Sequence, residues 1–241
     1  FPLSSSGVDS RPPEDEAFLA ELRAIARHFV RSRQHHACLL QWCGGNELHV
    51  DVEDEGGRRR QPLDRSHRAL AALAEVVAAE DPVHRFLPTS PYGPRFHSTR
   101  EEFGRGLHHE VHGPWGIDAY PGGAWETYWQ DDDALFRGET GVAGASRLAL
   151  LQRHAGDEAL WPPDSDLWRH ASGWWTQWDR LGSQFAHGKP EEALPAYIDH
   201  TRREQAEKLA FAVRARKAAF PRCAGFLIWM GHDAFPCLAN T

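Results

Sequence analysis

Two glutamates stand where they could do acid–base and nucleophilic chemistry. Glu47 closes QWCGGNE, residues 41 to 47, where an apolar run ends in two glycines, an amide and a carboxylic acid; Glu139 lies in FRGETG, residues 136 to 141. Glycines flank both, Gly44-Gly45 on one and Gly138 with Gly141 on the other. Glycine lets the chain turn sharply and lets backbone approach a ligand, which a merely solvated glutamate does not need. Two carboxyls serving one glycosidic bond are the equipment for its hydrolysis: one donates a proton to the leaving oxygen, the other attacks the anomeric carbon or activates water. Such a pair needs opposite protonation, one carboxyl holding a proton near neutral pH while the other stays ionised. If the ionised one is esterified its charge is gone, so its partner loses its proton more easily and can become the base for the water step.

The elements that must position these groups follow from periodicity. Residues 14 to 33 place Phe18, Leu22, Ile25, Phe29 and Val30 on one helical stripe after Pro12-Pro13. Residues 63 to 80 repeat it with Leu70, Leu73, Val76 and Val77, and 191 to 219 with Leu194, Ile198, Leu209 and Val213. Between them lie short apolar segments at 37 to 43, 84 to 88, 107 to 112, 134 to 138 and 223 to 230. Apolar runs alternating with amphipathic helices predict an α/β fold with a parallel sheet covered by helices. The segments end in Asn46-Glu47, Thr89-Ser90-Pro91, His112-Gly113-Pro114-Trp115, Glu139, and Trp229 with His232-Asp233. In parallel α/β barrels the C-terminal strand ends converge on one mouth, so one domain with one site from five strand ends is expected. Residues 161 to 190 read as a long loop with short helices.

Composition removes several alternatives. The chain has 241 residues, 41% apolar, with a net charge of -7. It is long enough for a sizeable core and carries no basic stripe, so neither disorder nor a nucleic-acid partner is expected; Arg58-Arg59-Arg60 reads as a solvated loop. The four cysteines, Cys38, Cys43, Cys223 and Cys237, form no CxxC pair and read as buried free thiols. No window reaches a membrane-spanning length and no signal peptide is visible, so no membrane partner is expected. The chain opens at Phe1 rather than a methionine, so a missing natural N-terminus is expected and the compartment is not legible.

The motifs together resemble the C-terminal part of the catalytic barrel of glycoside hydrolase family 2, closest to its β-mannosidase and exo-β-glucosaminidase-like branches. HHACLLQWCGGNE (35 to 47) resembles the strand-four motif, RFLPTSPYG (85 to 93) strand five and FRGETG the strand-seven nucleophile motif. FLIWMGHDAFP (226 to 236) resembles the tryptophan-bearing strand-eight segment, preceded by a helix at 198 to 218. The resemblance implies a (β/α)8 TIM barrel represented by strands four to eight, residues 1 to 241 being a partial catalytic domain, with Phe1-Pro2-Leu3 as the tail of strand three. It implies Glu47 as general acid/base and Glu139 as nucleophile of a retaining double displacement on a β-mannoside-like carbohydrate. Asn46 then binds the sugar 2-hydroxyl, Trp229 offers an apolar face to the ring, and Trp42, His112, Trp115 and Asp233 complete substrate binding. No cofactor is implied. A carboxyl separation of about 5 to 5.5 Å is the retaining geometry.

Departures concern the substrate more than the reaction. Gly45, Gly138, Thr140 and Met230-Gly231-His232 stand where the family usually has asparagine, serine, an aromatic residue, and glutamine-leucine-asparagine. The first barrel strands and the N-terminal β-sandwich domains of the family have no counterpart here, so unpaired sheet edges and poor behaviour of an isolated fragment are expected. HHEVH (108 to 112) reads as a strand end rather than a helical metal site, because Gly113-Pro114 closes it, and Asp131-Asp132-Asp133 reads as a solvated loop; no metal is expected. The alternative reading is a decayed carbohydrate-binding barrel that keeps its ten tryptophans and no turnover.

Overall fold

The computed structural model describes residues 1, 3–4, 11–54, 57–117, 124–172 and 176–229. The chain is α/β. It divides into two compact units, Phe1–His112 with Asp133–Gly138, and Gly113–Asp132 with Glu139–Thr241. Sequence reading expects one domain. A chain crossing lies between Gly138 and Glu139, inside a strand, where no change of composition announces it.

In the first unit, helix α1 (Glu16–Arg33) starts where the Asp15 carboxylate accepts the Phe18 N–H at 3.0 Å. Its buried positions are Leu19, Leu22, Ala26 and Val30. The stripe is therefore rotated from the expected one, leaving Ile25 exposed and Phe18 and Phe29 partly covered. Helix α2 (Arg68–Glu80) buries Leu70, Leu73, Val76 and Val77 as its periodicity predicts. The two apolar faces pack together with Trp42, Leu48 and Phe86 into one core. Arg27 and Arg31 of α1 pair with Glu80 of α2 at 3.1 and 2.6 Å.

Strands of this unit are short. β1 (Leu3–Ser4) pairs parallel with β3 (Gly45–Asn46), and β2 (Gln41–Cys43) pairs parallel with β6 (Arg85–Leu87), placing Trp42 opposite Phe86. Helix α2 lies in the connection between β2 and β6, a βαβ crossover. The expected strand from residue 37 shrinks to 41–43: Leu40 and Cys38 are exposed. β4 (His49–Asp54) and β5 (Gly57–Pro62) form an antiparallel hairpin in which Asp51 stands opposite Arg60 and Glu53 opposite Arg58. The arginine run is thus a strand rather than a loop, with Arg58 paired across the strands to Asp51 at 2.6 Å. Strand β7 (Glu110–His112) follows His108 and His109, whose carbonyls accept the N–H groups of Leu135 and Phe136 at the start of β8 (Phe136–Thr140).

The two glycines before Asn46 serve this packing. A methyl group on Gly44 would stand 2.2 Å from the Pro88 carbonyl and 2.9 Å from Leu70 Cδ2; on Gly45 it would stand 2.6 Å from Leu48 Cδ1. They admit neighbouring backbone and core side chains rather than a ligand. Gly44→Ala is expected to cost about 3 kcal/mol, since the clash is with backbone that cannot swing aside. Urea unfolding at an unchanged midpoint would contradict that packing.

The second unit is mostly helical: α3 (Ala124–Asp131), α4 (Leu148–Ala155), α5 (Asp166–Ser172), α6 (Trp178–Phe185) and the long α7 (Pro190–Ala218), followed by β9 (Gly225–Ile228). Leu151, Trp168, Leu181, Leu194, Tyr197 and Ile198 form its core, with Trp161 and Trp178 packed edge-on around the Tyr197 ring. Trp125 and Trp129 are buried, and the Trp125 indole donates to the Lys208 carbonyl at 3.2 Å. Arg216 pairs with the buried Asp132 at 3.1 Å. In the first unit Asp133 accepts the Gly104 N–H at 2.8 Å and lies 2.5 Å from His108 Nδ1, so Asp132 and Asp133 are structural while Asp131 is exposed.

Candidate active site

Glu47 follows β3 directly, with its backbone in the left-handed region at φ 55°. A non-glycine residue there carries a conformational cost that surrounding structure must hold in place. The holding groups are visible: the Glu47 N–H donates to the Ser90 carbonyl at 2.6 Å, and the Ser90 N–H donates to the Gly45 carbonyl at 2.9 Å. Next along the chain, the Leu48 N–H donates to the Thr89 hydroxyl at 3.0 Å. The residues after β6 thus clamp the residues after β3.

The Glu47 carboxyl is partly buried, with Oε1 3.0 Å from Nδ1 of His112. On its other side His112 Nε2 lies 2.7 Å from the Ser90 hydroxyl, and that hydroxyl donates to Glu110 Oε1 at 2.7 Å. Glu110 Oε2 accepts the Tyr92 N–H at 2.6 Å. His112 and Glu110 are both buried. They sit two apart on β7 and so project to one face of the strand. Burial pushes the Glu47 carboxyl up, but the hydrogen bond with His112 and the neighbouring basic side chains of His112, His97 and Arg60 outweigh it and hold it below its usual value. The proton expected on Glu47 is therefore disfavoured on that side chain alone.

In the second unit Glu139 is half-buried, and its Oε1 accepts the Trp115 indole N–H at 2.7 Å. Its backbone carbonyl accepts the Gly113 N–H at 2.8 Å, and both the N–H of Gly141 and the hydroxyl of Thr140 donate to the Pro114 carbonyl. The 113–115 turn and the end of β8 are thereby tied together. Trp229 donates its N–H to the Thr140 carbonyl at 2.7 Å, which sets it beside the same segment.

Other expected site residues fall as follows. Asn46 is exposed, and its side-chain amide makes no hydrogen bond among the described residues. Trp42 is a correction: it lies in the core of the first unit, 4% exposed, and its indole N–H is taken by Asp81 at 2.8 Å. A strand residue facing helices α1 and α2 has no route to a sugar. Trp125, Trp129 and Trp168 are core residues as well, so the richness in tryptophan mostly reflects packing. Asp233 lies outside the described residues. Ser90 was expected only as part of a strand end at the mouth, without a role, and Glu110 escaped sequence reading; the Glu-x-His spacing of 110 and 112, which a strand turns to one face, was the available signal.

No family model and no curated protein matches this chain. Among solved structures it is similar to the β-D-mannosidase from Dictyoglomus thermophilum, with a TM-score of 0.60 at 19% identity over 94% of this chain. The chain spans 27% of that protein's length. The likeness is one of fold.

Proposed function

We propose that the protein is a retaining glycosidase of the glycoside hydrolase family 2 type, acting on β-mannoside-like substrates, and that this chain is the part of its catalytic barrel that carries both carboxyls. The observation that carries the reading is the pair of glutamates at strand ends, each with one oxygen held by a ring nitrogen, Glu47 by His112 and Glu139 by Trp115. The mannosidase likeness of the fold supports the choice of chemistry.

In the first step a Glu139 carboxylate oxygen bonds to the anomeric carbon, the glycosidic C–O bond breaks, and Glu47 gives a proton to the departing oxygen. In the second, Glu47 takes a proton from water, the water oxygen bonds to the anomeric carbon, and the ester to Glu139 breaks. The Trp115 N–H steadies the negative charge on Glu139 before attack and orients the oxygen that remains. Asn46, which is exposed, is assigned to the sugar 2-hydroxyl, and Trp229 to the ring face.

Incubation with 2-deoxy-2-fluoro-β-mannosyl fluoride tests this. The fluoride leaves readily while the 2-fluoro group slows hydrolysis of the ester, so peptide mass spectrometry is expected to find one adduct, on Glu139. An adduct on another residue would displace the nucleophile assignment. No adduct in folded protein, with the sugar still bound, would point to a binding barrel without turnover.

A further inference from the structure

We propose that Glu110, acting through Ser90 and His112, is a positioning residue that holds one proton on His112 Nε2 and so keeps a second, transferable proton in the Glu47–His112 contact. The inference rests on Glu47 being the general acid.

It follows from counting protons. A serine hydroxyl has one proton, and that of Ser90 is donated to Glu110 Oε1. Towards His112 Nε2, 2.7 Å away, the Ser90 oxygen therefore accepts, and Nε2 carries a proton. A neutral imidazole has one N–H, so Nδ1 is then bare. A bare Nδ1 facing a carboxylate oxygen at 3.0 Å would set lone pair against lone pair. The contact is attractive only with a proton in it, either on Glu47 or on Nδ1 of an imidazolium. In both cases the pair holds the proton that the acid step spends, although Glu47 itself is held below the usual carboxyl range. After transfer, the Glu47 carboxylate faces a bare Nδ1, which suits it to recover a proton from water in the second step.

Glu110 fixes the direction of the chain. Both its oxygens accept, one from Ser90 and one from the Tyr92 N–H. The site exists because residue 138 is glycine: a Cβ there would stand 1.7 Å from Glu110 Oε1 and 2.6 Å from the Ser90 hydroxyl. Burial of Glu110 and His112 keeps water from rewiring the chain.

Glu110→Gln reverses the chain without changing its shape. The Tyr92 N–H still requires an oxygen, so the glutamine turns its NH2 to Ser90. Ser90 must then donate to His112 Nε2, and Nδ1–H points at Glu47 as a plain donor to its carboxylate. Nitrogen-15 spectra of His112 are expected to show Nε2 protonated in the parent and bare in Glu110→Gln. kcat/KM, which reads the glycosylation step, should fall on the order of 10²-fold for substrates with poor leaving groups, while for 2,4-dinitrophenyl glycosides, which leave without a proton, it should change less than about threefold. Ser90→Ala, which deletes the bridge, should give the same selectivity and serves if Glu110→Gln does not fold. A protonated Nε2 in folded Glu110→Gln, or equal losses on both substrates, would overturn the proposal. Absence of glycosidase activity in the parent would refute the acid assignment, while the nitrogen spectra would still decide the proton arrangement.

Discussion

Glu139→Gln is expected to lower kcat/KM on aryl β-mannosides by about 10⁴-fold or more, the scale on which loss of a covalent nucleophile is felt. The substitution replaces one carboxylate oxygen by an amide nitrogen of nearly the same size. Glutamine keeps an oxygen for the Trp115 indole, which now donates at 2.7 Å, and the Glu139 backbone carbonyl still receives the Gly113 N–H at 2.8 Å. The end of β8 should therefore stay in place and thermal unfolding should move little. What is lost is the charge and lone pair that bond to the anomeric carbon, so the defect belongs in the rate rather than in substrate affinity. Initial rates with a nitrophenyl β-mannoside, beside inhibition by a neutral mannose analogue, separate the two. A variant within tenfold of the parent rate would remove Glu139 from the chemistry.

Much of the fold was legible because it rests on local patterns. The face of α2 follows from apolar spacing; α7 buries Leu194 and Ile198 as expected but leaves Val213 exposed, and α1 differs by a rotation that exposes Ile25. The crossover from β2 to β6 through α2 follows from two short apolar runs around a helix. The β4–β5 hairpin was missed because its charges hid the alternation of Val50 and Val52, and because opposite charges across strands look, in one dimension, like a solvated loop. Helices α3 and α4 went unread since each is a single short stretch of eight residues.

At the candidate site, the two glutamates were singled out by the company they keep, but the reason for their glycines was not legible. Gly44 and Gly45 make room for Pro88, Leu70, Leu48 and Leu3, and Gly138 for the carboxyl of Glu110, contacts 28 or more residues away for Gly138 and set by folding alone. Trp42 shows the same limit: a tryptophan beside a catalytic motif reads as a ligand contact until its indole is found on Asp81. The hydrogen-bond chain from Glu47 to Glu110 joins three segments, after β3, after β6 and along β7. Only the pairing of Glu110 with His112 on one face of a strand could have hinted at it.

Glu47→Gln should divide substrates by their leaving groups. General acid catalysis contributes about 10²- to 10⁴-fold, so loss of that order is expected for alkyl or sugar leaving groups. A dinitrophenolate departs without a proton, so its release should be nearly unaffected and the slow step should become hydrolysis of the ester, now without its base. Turnover on that substrate should thus show a rapid burst of phenolate followed by a slow steady state. Azide, an anion that attacks without base assistance, is expected to restore the steady state with a β-mannosyl azide product in Glu47→Ala, where the missing side chain leaves it space. The backbone at Glu47 is left-handed, and glutamine meets the same cost there as glutamate, so the comparison is not clouded by a new strain. The His112 contact does change: an amide oxygen at that place accepts from Nδ1–H but cannot donate, and an amide nitrogen donates to a bare Nδ1, so neither orientation of the amide carries a proton the leaving oxygen can receive. Equal losses across leaving groups, with no burst and no azide product, would mean that Glu47 organises the site without transferring a proton.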